Sequence, residues 1–145
     1  MRLNLQSDYA LRMLMHLASS PDRLVTIGEV ADRFRISHNH LMKVAYLLGK
    51  EGLITTMRGR SGGLRLAGRA EKIRVGDVVR RMEGDIHIVE CSAAEPGGCV
   101  ISGACKLKGV MHEALDAFFN VLDRYTLADL VANPKLRALL NSEAA

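Results

Sequence analysis

The chain has 145 residues, of which 48% are hydrophobic and 25% are charged, while aromatic residues make up 4% and tryptophan is absent. These proportions are typical of a small globular protein with an aliphatic core, and the sequence contains no internal repeat or low-complexity tract. The net charge of +4 and the pI of about 9.2 mildly favour a polyanionic partner.

Nothing in the sequence indicates export or membrane insertion. Charged and polar residues interrupt the N-terminus, which therefore lacks the apolar centre of a signal peptide. No apolar run is long enough to cross a bilayer. An odd number of cysteines fits a reducing compartment better than a disulfide framework. We therefore expect a cytoplasmic protein without a membrane partner.

Two helices are predicted near the start of the chain. Apolar residues recur at helical spacing over Ser7–Ser19, which predicts the first helix, and Pro21 ends it. Thr26 and Glu29 match a capping box in which the threonine is the N-cap. They predict a short second helix over residues 27–34.

A third helix is predicted over His38–Lys50. Ser37 is a favourable cap for its start, and Gly52 is placed to end it in the left-handed conformation. Apolar and polar side chains separate onto opposite faces of this helix. The apolar face carries Leu41, Val44, Ala45 and Leu48.

A basic hairpin follows the third helix. Residues 53–57 and 64–66 are predicted to form short strands, and the tip between them, Arg58–Gly63, is rich in Gly and Arg. Together with the two preceding helices, this hairpin predicts a winged helix-turn-helix, although an ordinary helical pair with a basic turn would give a similar pattern. The tip favours the first interpretation, because two arginines on a Gly-rich turn are unusual on a surface that meets no anion.

The second helix of such a motif enters the major groove of DNA, while wing arginines suit the minor groove or phosphates. Asparagine pairs with adenine through two hydrogen bonds, and lysine suits guanine or phosphate. The candidate DNA-binding residues are Ser37, His38, Asn39, His40 and Lys43 on the helix, and Arg58, Arg60, Ser61, Gly62 and Arg65 on the wing.

The rest of the chain is predicted to be a loop between helices. One helix covers Val75–Glu83, and extended backbone follows over residues 85–88. A long helix over residues 106–125 is apolar on more than one flank. Its opposite side carries Leu115 and Phe119, and its main stripe consists of Leu107, Val110, Met111, Ala114, Phe118, Val121, Leu122 and Tyr125. A small domain cannot bury both flanks alone, so we expect this helix to pack against its copy in a second subunit. A short capped helix over residues 126–132 and a helical tail from Pro134 complete the chain.

The predicted fold class is therefore mainly α with a small β-wing, a winged helix-turn-helix plus a long dimerisation helix. We divide the chain into a DNA-binding domain over residues 1–84, a cluster-binding loop over 85–105, and the dimerisation helix with its tail over 106–145. No phosphate loop, Rossmann fingerprint or nucleophile elbow is present, so we do not expect an enzyme.

The loop holds all three cysteines, Cys91, Cys99 and Cys105. Clustered thiols suit a soft metal centre, and an iron–sulfur cluster is the usual occupant. Their spacing does not match that of zinc fingers or ribbons, but zinc and plain free thiols both remain open. Three cysteines are one ligand short of a four-ligand site. His87 and His112 flank the segment from Cys91 to Cys105, whereas residue type and position alone give Asp8 only the role of complementing a helix N-terminus.

Several stretches of the chain resemble one bacterial family. They are the N-terminal run Met1–Ala10, the wing Arg58–Gly63, the three cysteines, and the run Tyr125–Val131. Over nearly its whole length, the chain is similar to the dimeric winged-helix regulators that include the nitric-oxide-sensitive repressor NsrR, the cluster-biogenesis regulator IscR and the rhizobial iron regulator RirA. The resemblance implies a homodimeric transcriptional repressor that binds a pseudo-palindromic operator in double-stranded DNA.

The resemblance also implies one iron–sulfur cluster per subunit, held by Cys91, Cys99 and Cys105. In nitric-oxide-sensing members, an Asp from the other subunit completes a 4Fe–4S cluster, and Asp8 matches its position. In the IscR branch, a His three residues after the last cysteine holds a 2Fe–2S cluster. Lys108 stands there in this chain, which departs from that branch. The resemblance therefore favours a 4Fe–4S cluster, with a 2Fe–2S cluster as the alternative.

These residues do not decide which chemical signal the regulator senses. The wide spacing between the first two cysteines resembles the rhizobial iron regulator, whereas the run Tyr125–Val131 resembles the nitric-oxide branch. We favour nitric oxide as the signal. The alternatives are an iron-responsive or cluster-status regulator and a thiol redox sensor without metal.

Overall fold

The computed structural model describes residues 2–90 and 99–142, and within them the protein is mainly helical with a two-stranded antiparallel sheet. The predicted fold class is therefore confirmed. In the described residues, no helix is both long and apolar enough to span a membrane. The elements are α1 (Leu5–Ser19), α2 (Ile27–Phe34), α3 (His38–Lys50), β1 (Ile54–Met57), β2 (Gly63–Leu66), a short 3-10 helix (Ala70–Lys72), α4 (Val75–Glu83), α5 (Lys106–Leu122), α6 (Leu127–Leu130) and α7 (Pro134–Asn141).

Helix α1 begins at Leu5 rather than at the predicted Ser7, because Asn4 is its cap. The Asn4 side-chain oxygen accepts a hydrogen bond from the Ser7 backbone N–H at 2.7 Å. Asn4 also joins α1 to α4, since its backbone N–H donates to Glu83 Oε1 at 2.8 Å and its amide donates to the Met82 carbonyl at 3.2 Å. The start of α1 is thus fixed by a distant element.

The predicted capping box starts α2. Thr26 Oγ1 accepts from the Glu29 N–H at 3.1 Å, and a Glu29 carboxylate oxygen accepts from the Thr26 N–H at 2.7 Å. Burial pushes the pKa of Glu29 upward, but hydrogen bonds from Thr26 and Arg23 outweigh burial and hold that pKa below its ordinary value. Arg35 adopts the left-handed conformation (φ 53°) and turns the chain towards α3.

Helix α3 has the predicted bounds, and its predicted apolar face is the buried one. Gly52 follows it with φ of +68°, as expected for a helix end. The buried residues are Leu41, Val44, Ala45 and Leu48.

Helix α1 lies at the centre of the hydrophobic core and packs against α3, α4, β2, α6 and α7. Its residues Met13 and Leu14 have no exposed surface. The C-terminal tail returns to this core, since Leu127 is fully buried and Val131 and Leu140 are nearly so. Helix α3 and the hairpin therefore rest on a core built from α1 and from the C-terminal helices.

Helix α5 has one packed flank and one exposed flank. Leu115, Phe118 and Leu122 pack with buried Phe119 against Val75 and Val79 of α4. The sequence grouped Phe118 and Leu122 with the opposite stripe, and that grouping was wrong. The exposed flank carries Leu107, Val110, Ala114 and Val121, which repeat at heptad spacing.

Helix α5 ends at Leu122 instead of the predicted residue 125, because its end is fastened to α4. Arg80 donates two hydrogen bonds to the Asp123 carboxylate, at 2.8 and 2.7 Å, and lies over the Phe119 ring at 4.2 Å. These hydrogen bonds hold the pKa of Asp123 below its ordinary value. The Tyr125 carbonyl then accepts from the Val75 N–H at 2.9 Å. We call this contact between α4 and α5 the joint. Residues 85–88, between the two helices, do not form the extended segment that we predicted.

Candidate nucleic-acid interface and thiol loop

The exposed face of α3 carries every residue that the sequence nominated for the major groove. Ser37, His38, Asn39, His40 and Lys43 are all exposed, and the buried face beneath them fixes their direction. The helix begins at His38, so these side chains stand at its N-terminal end. This is the end whose side chains meet base edges in helix-turn-helix proteins.

Ser37 occupies the N-cap position but does not cap the helix. Among the described residues, its side chain makes no capping hydrogen bond, which corrects the capping role that we predicted. The Ser37 hydroxyl is therefore free for a partner outside the chain. A free hydroxyl is able both to donate to a phosphate or base and to accept from one.

His40 differs from its neighbours because it also contacts α1. Its ring lies 6.2 Å from the Tyr9 ring, centroid to centroid, at an interplanar angle of 35°. This contact restrains the imidazole at the foot of the reading helix. It also links the N-terminal turn of α1 to α3.

Met42 and Tyr46 are further candidates that the sequence analysis did not nominate. Their exposed fractions are 51% and 73%, which is high for large apolar side chains. They lie three and seven residues after Asn39, so they share its helix face. This spacing was the available signal.

The wing is a tight antiparallel hairpin in the register Ile54 to Leu66 and Met57 to Gly63. Gly59 has φ of +110°, where side chains are strained, and Gly62 donates its N–H to the Gly59 carbonyl at 3.0 Å. A Cβ on Gly62 would overlap the Met57 carbonyl oxygen. The glycines thus allow a narrow tip.

The wing arginines remain available for phosphates. Arg58, Arg60 and Ser61 are exposed. Neither arginine has an ion-pair partner within residues 2–90 and 99–142. Arg65 points across the hairpin and donates to Thr55 Oγ1 at 3.4 Å. Positive charge without an internal partner is the expected property of a surface that meets DNA.

The predicted cluster-binding loop, residues 85–105, leads directly into α5, and we call it the thiol loop. Cys105 is the N-cap residue of α5 and is partly exposed, while Cys99 is exposed, and both are free thiols. Two backbone hydrogen bonds fold the turn between them, from Ser102 to Cys99 and from Ala104 to Ile101. Cys91 lies outside the described residues. The two described cysteines are thus accessible soft ligands at the head of the exposed helix.

The candidate fourth ligands form no metal site with the two described thiols within one chain. Asp8 pairs with Arg12 at 2.9 Å on the surface of α1, and 42% of its side chain remains exposed. His112 Nδ1 lies 2.8 Å from the Lys108 carbonyl, and His87 is exposed. Among the described residues, no three His, Cys, Asp or Glu side chains form a metal site.

Comparison with known proteins begins with a family model. The model described as "Rrf2: Iron-dependent Transcriptional regulator" matches residues 3–133. The chain is 50% identical over 142 residues to the "HTH-type transcriptional regulator NsrR" of Shouchella clausii, which covers 97% of this chain and 95% of that protein. It is 51% identical over 134 residues to the protein of the same name from Bacillus subtilis, covering 92% of each.

A solved structure gives the same result at the level of the fold. The oxidized form of CymR from Staphylococcus aureus matches with a TM-score of 0.73 and 26% identity, over 92% of this chain and 98% of that one. The elements that carry the candidate DNA-binding residues and the long helix α5 all lie within the range that the family model matches.

Proposed function

Because the chain belongs to the Rrf2 family of transcriptional regulators, we propose that it is a homodimeric repressor whose grip on a promoter is controlled by an iron–sulfur cluster and released by nitric oxide. The protein is a DNA-binding regulator and not an enzyme. The observation that carries the finer proposal is the position of Cys99 and Cys105, free and accessible at the head of α5, the helix joined to the DNA-reading domain.

In this proposal, α3 enters the major groove. Asn39 pairs with adenine and Lys43 contacts guanine or phosphate, with Ser37, His38 and His40 beside them. The wing places Arg58 and Arg60 against the adjacent minor groove or phosphates, and Ser61, Gly62 and Arg65 complete the contact. Two observations support this assignment. All of these residues are exposed except the partly buried Gly62. Arg58 and Arg60 have no acidic partner in the described residues.

The dimer forms through the exposed flank of α5. Leu107, Val110 and Val121 are 58%, 48% and 49% exposed, and a second copy of the helix would cover them. Val100 and Ile101, in the cysteine-containing loop before α5, are also exposed, at 101% and 61%, and a second subunit would cover them too. Two reading helices on a pseudo-palindrome must then lie about 34–36 Å apart, or a multiple of that distance.

The thiols fit an iron–sulfur cluster in their chemistry. Cys99 and Cys105 are free and accessible, and thiolates are the ligands that such clusters use. Cys91 would supply the third thiolate, and Asp8 of the partner subunit would complete a 4Fe–4S centre. With Lys108 in place of a histidine, a 2Fe–2S centre of the IscR kind lacks its ligand. When bound, the cluster would supply iron that reacts with nitric oxide, and the cysteines that hold it would then be released.

Asp8 suits the role of a ligand from the other subunit because its only described ion pair is a surface pair. Breaking an exposed pair such as Asp8–Arg12 costs about 0–1 kcal/mol, so the carboxylate is readily recruited. Asp8→Ala should change the absorption spectrum of the loaded protein. An unchanged spectrum would leave Asp8 with its Arg12 contact alone.

The chain connects the thiols to DNA through α5. Cys105 directly precedes the first residue of α5, and the joint fastens the end of the helix to α4 through Arg80 and Asp123. Helix α4 packs on α1, the central helix of the reading domain. Release of the thiols frees the head of α5, so the separation of the two reading helices is no longer set and affinity falls.

The test is a gel-shift titration of a duplex carrying the protein's own promoter, with protein purified without oxygen. Affinity should fall by at least about tenfold, or 1.4 kcal/mol, after treatment with a nitric oxide donor. The control is the same donor applied to Cys99→Ser protein, whose affinity should already be low and should not change. Equal affinities of the wild type before and after treatment would refute the proposal.

Two other signals have a specific observation in their favour. The matching family model is described as iron-dependent, which favours iron supply as the signal. The structural relative CymR was solved in an oxidized form, which favours thiol oxidation at Cys99 and Cys105 without metal. Iron and sulfide analysis separates these: a metal-free, colourless protein that responds to peroxide would indicate the thiol switch, and a cluster lost on iron depletion but indifferent to nitric oxide would indicate iron.

A further inference from the structure

A polar cavity of about 430 Å³ lies between α1, α2 and the end of α7, apart from the candidate DNA-binding residues and the thiols. Its volume is within the range of small-molecule sites. The lining is unusually rich in charged and polar side chains. It consists of His16, Arg23, Glu29, Asp32, Arg33, Leu140, Asn141 and Ser142.

His16 is the buried polar side chain of this cavity. It is 2% exposed, and within the described residues neither of its ring nitrogens has a hydrogen-bond partner. Phe34 packs edge-on against the ring at 6.2 Å and holds its orientation. A buried imidazole without partners is costly, so a partner from outside the chain would stabilise it.

Arg33 offers a second unsatisfied group to the same space. Its Nε is buried and, in the described residues, has no hydrogen-bond partner, while its Nη1 donates to Ser142 Oγ at 3.2 Å. The described part of the chain contains no ion pair to Arg33. Its positive charge is therefore not neutralised by a carboxylate there.

The neighbouring charges are already paired, except one. Arg23 and Glu29 form an ion pair at 2.6 Å, and the other Glu29 oxygen is engaged by Thr26. Asp32 lines the cavity and is exposed. Its negative charge favours a singly charged ligand over a multiply charged one.

We propose that this cavity binds a small carboxylate anion between His16 and Arg33. A guanidinium edge matches the two oxygens of a carboxylate, and the imidazole N–H supplies a further donor. Such a ligand would join α2, the first helix of the DNA-reading pair, to α1 and to the C-terminal residues. It would give the regulator a small-molecule input separate from the thiol loop.

The test uses the full chain with its metal and follows the ring ¹⁵N signals of the five histidines during titration. The probes are sodium acetate, sodium phosphate, and sodium chloride at equal ionic strength. Acetate should shift the His16 signals to saturation and raise the unfolding temperature, as any ligand of the folded state does. Phosphate should bind more weakly, and chloride should have no saturable effect.

Three variants make the result specific. Arg33→Leu should weaken acetate binding about tenfold or more, the effect of losing one charge-assisted hydrogen bond. His16→Phe should abolish it while leaving the protein folded, because no described internal hydrogen bond is lost. Arg69→Leu, at an exposed arginine outside the cavity, should bind acetate normally. The proposal is overturned if acetate has no saturable effect at millimolar concentrations, or if it acts equally on His16→Phe.

Discussion

The winged-helix part of the chain and helix α5 differ in how much apolar surface one chain buries. In the reading domain, Leu14, Leu41 and Leu48 have no exposed surface. On α5, Leu107 and Val121 are about half exposed. Full burial of an exposed Leu or Val side chain stabilises a protein by about 1.5–3 kcal/mol, so covering the exposed half contributes roughly half of that. The winged-helix core therefore buries its leucines within a single chain, whereas α5 leaves apolar surface that the proposed dimer would cover.

The largest effect should come from breaking the dimer flank of α5. Leu107→Asp puts a charge into the proposed interface, where an unpaired charge costs several kcal/mol, so the dimer should dissociate. Promoter affinity should then fall by more than about a hundredfold, since one subunit reads only half of the site. Sedimentation and gel shift measure both effects.

Leu139→Asp is the matched control for that change. Leu139 is a leucine of nearly the same exposure, 57% against 58% for Leu107, but it lies on α7. This variant should remain dimeric and bind normally. Dimers of Leu107→Asp with intact affinity would show that α5 is not the interface.

A smaller effect should separate two kinds of contact within the reading domain. Asn39→Ala should cost about 1–3 kcal/mol per half-site and relax discrimination at one base pair. Arg60→Ala should instead weaken all sequences alike and reduce the slope of log affinity against log salt by about one per contact. If Asn39→Ala lowered affinity equally for specific and random duplexes, Asn39 would be a phosphate contact.

The joint between the two regions should be sensitive to a single methyl group. A Cβ on Gly76 would overlap the Asp123 carboxylate, so Gly76→Ala should lower the free energy of unfolding by about 1–3 kcal/mol. Gly109, in the first turn of α5, has no described atom outside its own helix backbone within 4 Å of such a Cβ. Gly109→Ala should therefore raise stability by up to about 1 kcal/mol. Urea unfolding should show a lower free energy of unfolding for Gly76→Ala and a higher one for Gly109→Ala. A change of the same sign in both variants would show that the joint does not stabilise the fold.

The smallest effect concerns pH. Burial lowers the pKa of His16 below its ordinary 6.5; Glu29 opposes this shift, and Arg23 and Arg33 add to it. The unfolded chain then binds a proton that the folded chain does not, so this contribution to stability is complete above about pH 6.5 and is lost as the pH falls towards the folded pKa. The loss is about 1.4 kcal/mol for each pH unit between the two values.

Replacing His16 should remove that dependence. His16→Phe should flatten the stability curve below about pH 6.5, whereas the same change at exposed His112 should not. The measurement is urea unfolding at a series of pH values. A slope in His16→Phe as steep as in the wild type would assign the effect to another group.

Sequence predicted best what is decided locally. Both α3 and α4 have their predicted bounds because a glycine with positive φ lies just after each helix and one clear apolar stripe runs along it. Sequence failed where a distant residue decides. The start of α1 depends on Asn4 meeting Glu83, and the end of α5 depends on Arg80 meeting Asp123.

The candidate site divides in the same way. Exposure of the α3 and wing residues follows from helical and strand periodicity, so the DNA-binding candidates were within reach of the sequence. The sequence could not show which of the two apolar flanks of α5 faces its own domain, because periodicity does not say which flank is buried. Phe118 was therefore placed on the wrong side. The sequence indicated the burial of His16 only through its position beside Met13 and Leu17 on the inner face of α1.

The most direct test of the central claim compares one promoter duplex bound by two preparations made without oxygen, the wild type and Cys105→Ser. The wild type should contain iron and sulfide and should bind at least about tenfold more tightly than the variant, which should contain neither. Wild-type protein free of iron and sulfide that still binds the duplex as tightly as any preparation would contradict the account.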